Sequence, residues 1–215
     1  MRMFCRSRVT FLSVALIAVL ALFSLAPAFA SETQTEKVTL KDWEGTHLSR
    51  SPYWNEKKAV PFFEKLSEAC KAIGKDFSVQ DVIDKTKLMY YTDFSKLEVS
   101  GNTVTFFSPV DWVAPVKVTY EYRGEICKDG TSWYAFEGID VNAFSNAYRY
   151  LLMIKFHGHD KGQKHAHMRY GSAGFAQLIN DPALSNWWPT IQLSDFNFDQ
   201  YLENLKPEKM AKWVK

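Results

Sequence analysis

The chain has 215 residues, 47% of them apolar and 15% aromatic, which suits one domain with a sizeable core. Its 26 Lys and Arg against 24 Asp and Glu give a formal charge of +2, without the basic stripe of a nucleic-acid binder. No repeat, low-complexity segment or second-domain linker interrupts it.

Residues 1–30 read as a signal peptide. Arg2, Arg6 and Arg8 make a basic start, Phe11 to Leu25 is an apolar run, and Ala28-Phe-Ala30 is a cleavage signature. The run is short for a membrane span, so the expected product is an exported domain over 31–215 with no membrane anchor. Without those three arginines, 23 basic residues remain against 24 acidic ones, a net of −1. Two cysteines remain, Cys70 and Cys127. In an oxidising compartment they either bridge, or Cys70 is a buried small hydrophobe and Cys127 a thiol.

A helix is expected after Ser51-Pro52, with Val60, Phe63, Leu66, Cys70 and Ile73 as its apolar face and Gly74 as its stop. Pro61 either kinks it or delays its start. Ser78 and Asp81 have capping-box spacing for a second helix carrying Val79, Val82, Ile83, Thr86, Met89 and Tyr90. From Leu97 the period changes to two. Leu97 and Val99, a Ser-Gly-Asn turn at 100–102, then Val104 and Phe106 predict a hairpin. Val116 to Tyr122 alternates next, with Arg123-Gly124 read as a turn. A second turn at Lys128-Asp-Gly130 precedes a strand from Trp133 to Phe136, and Tyr148 to Phe156 is a longer apolar strand. Helical signals return over Gly174 to Ile179, and again after Ser194, read as the cap of a helix carrying Phe198, Tyr201, Leu202 and Leu205. The pattern is mainly β: an antiparallel barrel of roughly six to nine strands from about Leu97 to Tyr170, with flanking helices.

Four of the five histidines fall in the eleven residues from His157 to His167. Each His-x-His pair on a strand points both rings to one face. The intervening Asp160-Lys-Gly-Gln-Lys164 suits a hairpin loop, which would gather His157, His159, His165 and His167 at one end. Imidazoles so placed suit a divalent ion such as zinc. Phe156, Ala166, Met168 and Tyr170 occupy the alternate, mostly apolar parity.

The chain resembles the ZinT (YodA) family over about residues 38–206. The resemblance rests on Leu40-x-Asp-Trp-x-Gly45, Tyr91-Thr-Asp93 leading to Gly101-Asn-Thr-Val-Thr-Phe106, and Tyr120-x-Tyr-x-Gly124. His165-x-His167 with Gly171 and Asn186-Trp-x-Pro-Thr190 before Leu193-Ser194 complete the order. It implies a lipocalin-like (calycin) barrel with a three-histidine site at its mouth that binds zinc, with cadmium as a second candidate ion. The family's His-x-His pair maps onto His165 and His167. Counting from Phe156 puts the third ligand at His159, and the shorter loop leaves His157 as the alternative. The resemblance also implies a monomeric carrier that assists a zinc ABC uptake system through its solute-binding protein. Two departures stand out: residues 31–37 carry no histidine, and His47 replaces a frequent tryptophan. The rival reading is a zinc-dependent hydrolase or hydratase with an open three-histidine site. The chain has no HExxH or HxxEH motif, and the expectation is a binding protein, not an enzyme.

Overall fold

The computed structural model describes residues 38–158 and 163–215. The signal-peptide reading of residues 1–30 lies outside these. Eight antiparallel strands close a barrel in simple sequence order, each paired with the next and the last with the first. They are β1 (Gly45–Ser49), β2 (Lys96–Ser100), β3 (Thr103–Phe107), β4 (Val116–Lys128), β5 (Thr131–Gly138), β6 (Tyr150–Met153), β7 (His165–Gly171) and β8 (Thr190–Leu193). Helices α1 (Val60–Ala72) and α2 (Val79–Tyr90) fill the β1–β2 connection. Helix α3 (Phe175–Asn180) lies between β7 and β8, and α4 (Phe198–Asn204) and α5 (Pro207–Met210) follow. No helix among the described residues is long and apolar enough to cross a membrane.

The barrel is wider in sequence than the window Leu97 to Tyr170. β1 and β8 lie outside that window and close the barrel, with His47 paired to Leu97 on one side and to Leu193 on the other. Both are short. Gly-Thr-His-Leu-Ser is also too polar to show an apolar alternation, although the barrel buries His47 and Ser49.

Turn chemistry explains the hairpins. Ser100 pairs with Thr103 around Gly101, whose φ of +58° needs glycine's freedom. Lys128 pairs with Thr131 around Asp129 and Gly130, both at positive φ. Arg123-Gly124 is not a turn. β4 runs straight through it, and the ladder with β5 slips one residue between Tyr122 and Gly124. Gly124 sits at φ +124°, so glycine here marks a bulge that bends a long strand.

Inside the barrel lie Leu97, Val104, Phe106, Leu151, Met168 and Ile191 among other buried side chains. A second core joins Trp54, Phe63, Leu66 and Cys70 to Val82 and Met89 of α2 and to Phe198 and Met210 near the C-terminus. α2 begins with the full capping box, the Ser78 hydroxyl accepting from Asp81 N and the Asp81 carboxylate accepting from Ser78 N. Single-turn 3₁₀ segments occupy Ser51–Asn55 and Lys57–Ala59, and α1 starts at Val60 with Pro61 in its first turn, so the proline delays the helix. Asn197, not Ser194, caps α4, its side chain accepting from Gln200 N. Cys70 is a free, buried thiol, so no Cys70–Cys127 bridge forms.

Candidate metal centre

The site grows from the register of β6, β7 and β8. Met153 pairs with Met168, and Ile154 N donates to His167 O at 3.0 Å. His157 then pairs with His165, each backbone N–H donating to the other's carbonyl at 2.9 Å. Three residues on one side thus span two on the other. That slip turns His157 to the side of the ladder that carries His165.

On β7 the even residues Ala166, Met168 and Tyr170 enter the barrel core, so His165 and His167 project from the outer wall. The histidines therefore sit outside the barrel at the start of β7, under Trp188, whose ring lies 5.5 Å from that of His167. The ring centroids are 4.4 Å apart for His157 and His165, 5.1 Å for His165 and His167, and 5.3 Å for His157 and His167. One nitrogen from each of the three lies within 4.8 Å of the others. His159 lies outside the described residues.

The proton positions follow from the partners. His157 Nδ1 donates to Lys155 O and His165 Nδ1 to Gln163 O, both at 3.1 Å, because a carbonyl can only accept. His167 Nδ1 lies 2.9 Å from Thr190 Oγ1, whose own hydrogen goes to Trp188 O at 2.9 Å. The hydroxyl therefore accepts from His167. With its hydrogen on Nδ1, the neutral form of each ring leaves Nε2 as the nitrogen for a metal, the arrangement in which an oxygen partner orients a metal-binding imidazole. Three such donors can hold a tetrahedral ion and leave one position for another ligand. Thr190 is fully buried on β8, directly across from His167. The motif Asn186-Trp-x-Pro-Thr190 contains it, but nothing in the sequence shows that its hydroxyl reaches a histidine on another strand.

Burial holds His167 well below the ordinary imidazole value, and the nearby charges of His165, Arg50 and His157 add to the effect. It is neutral, and ready to bind, at a pH where an ordinary histidine is protonated. Protons should therefore compete little with zinc at His167 until the pH falls well below the ordinary imidazole range, so zinc affinity should fall on acidification less steeply than three unperturbed imidazoles would require. A competition titration with a chromophoric chelator between pH 7.5 and 5.5 measures this, and a flat profile would point to carboxylate ligands.

His47 is not part of the cluster. It is buried in the barrel against Phe156, its Nε2 donating to Trp43 O at 2.7 Å, and burial lowers its pKa.

A family model described as ZinT (YodA) periplasmic lipocalin-like zinc-recruitment matches residues 25–206. The chain belongs to this family. Zinc is thus the metal of the site's family, and recruitment its activity. Among solved structures, the chain is similar to the Zn(II)-bound ZinT-like domain of Streptococcus pneumoniae AdcA, with a TM-score of 0.52 and 19% identity over 85% of this chain and 93% of that one. It is also similar to Zn(II)-bound AdcA from the same organism, with a TM-score of 0.52 and 21% identity over 81% of this chain but only 34% of that one. At these identities the likeness speaks for the fold. No curated protein matches the chain.

Proposed function

We propose that the protein is exported by the segment 1–30, binds zinc in the periplasm through His157, His165 and His167, and hands it to the solute-binding protein of a zinc ABC uptake system. The observation that carries the reading is the convergence of three imidazoles, one nitrogen of each within 4.8 Å of the others and every Nδ1 hydrogen bonded to an oxygen. AdcA contains a ZinT-like domain within a larger zinc-bound chain, which supports a place in zinc uptake. Neutral nitrogen donors bind divalent ions in a chemical order, so cadmium fits the same site. The protein acts as a monomeric carrier and not as an enzyme.

Two measurements test this. Metal analysis of tag-free protein should find one zinc per chain, and His157→Ala should lose it while His159→Ala retains it. The reverse would make His159 the third ligand. Mixing the zinc-loaded protein with the apo solute-binding partner should then move the ion at a rate that rises with acceptor concentration. A rate independent of the acceptor would mean release into solution, not hand-off.

A further inference from the structure

The outer wall beside the histidines holds a buried cation with no carboxylate partner among the described residues. Arg50 follows β1 and is only 2% exposed, and its backbone N–H donates to Thr190 O at 2.9 Å. Its Nε donates to Gln192 Oε1 at 3.2 Å and its Nη1 to Tyr201 Oη at 3.1 Å, while the guanidinium lies over the Tyr201 ring at 4.4 Å. Burial keeps the Tyr201 hydroxyl protonated, so it is no counter-ion. Among the described residues no ion pair reaches Arg50. Among the described residues its Nη2 has no hydrogen-bond partner, and neither has Nε2 of Gln192, which is fully buried.

These two orphan donors border the metal centre. Gln192 pairs with His165 and Thr190 with His167 in the β7–β8 ladder. Residues paired across antiparallel strands put their side chains on the same face about 5 Å apart. Arg50 reaches both of these neighbours, its backbone bonding to Thr190, which holds His167, and its side chain to Gln192. Among the described residues, the histidine cluster includes no aspartate or glutamate. A dication bound to three neutral imidazoles would raise the local charge to about +3 with Arg50 included, in a half-buried place where repulsion is poorly screened. Orphaned buried donors beside a cationic centre are the signature of an anion site.

We propose that the loaded site takes a small carboxylate as the fourth zinc ligand, one oxygen on the metal and the other receiving hydrogen bonds from Arg50 and Gln192. The inference rests on the zinc reading above. It makes Arg50 a two-way control: alone it repels the ion, and with the anion in place it helps to hold it.

Zinc affinity should be measured by chelator competition with acetate as the probe, against perchlorate at equal ionic strength, correcting for zinc held by acetate in solution. In the wild-type protein saturating acetate should tighten zinc binding about tenfold, the size of one charge-assisted hydrogen bond. Arg50→Met should bind zinc more tightly than wild type without acetate and lose the acetate response. Cobalt(II) provides a readout on the wild-type chain alone, since acetate should shift the visible spectrum of the bound ion when it enters the coordination shell. Wild-type protein that binds zinc equally in acetate and perchlorate, with an unchanged cobalt spectrum, overturns the inference and leaves the zinc reading standing. Failure to bind zinc in either salt sinks the zinc reading itself.

Discussion

His167→Ala should cost far more zinc affinity than any other single change outside the histidine cluster. The substitution removes one of the three proposed nitrogen donors, and the one already held neutral by burial and by the charges around it. Removing a residue that only orients a ligand typically costs about 10- to 100-fold in metal affinity. Thr190→Val should fall in that range, because it takes away the acceptor for His167 Nδ1 while keeping the side-chain shape. His167→Ala should exceed it, by well over about 100-fold. His47→Phe should leave affinity unchanged, since its ring is buried in the barrel and bonded to Trp43 O. Chelator competition on the three variants ranks them. Equal losses for His167→Ala and His47→Phe would show that the metal is bound elsewhere.

The apoprotein should unfold cooperatively, and zinc should raise its midpoint only by mass action. The three histidines lie close together in the chain, whereas the barrel core draws on β2 through β8 and the helical core on segments from Trp54 to Val214. A core distributed in this way folds without a metal staple, unlike a zinc finger. At zinc 1,000-fold above the dissociation constant the gain is about 4 kcal/mol. Acid should act on the apoprotein as well. His47 and His167 have lowered pKa values in the folded state, so below about pH 6.5 the unfolded chain takes up protons that the folded one does not. Stability should therefore decline as the pH falls from about 6.5 toward the lower folded-state values. Calorimetry with and without zinc at two pH values checks both statements. An apoprotein without a thermal transition would make the zinc structural.

Local chemistry made much of this molecule legible in its sequence. The Ser78–Asp81 capping box, the Gly101 and Asp129-Gly130 turns and the period-two strands between them follow from backbone rules that act over a few residues. The clustering of His157, His165 and His167 likewise needs only a hairpin. What lay beyond reach depended on partners far away in the chain. Gly-Thr-His-Leu-Ser is a strand because Leu97 and Leu193 flank it, and Gly124 is a bulge and not a turn because β5 continues to pair beyond it. The one-residue slip between Ile154 and His157 decides which ring faces His165, and a slip leaves no trace in a periodic pattern. The parity of β7 was readable, but not that its histidines lie on the outer wall, where Trp188 packs against His167. Nor could the sequence place Thr190 under His167, or Arg50 and Gln192 beside them. These contacts span 23 residues in one case and 142 in another: β8 pairs with β7 across a long connection, and only the closing β1–β8 pairing brings Arg50 beside Gln192.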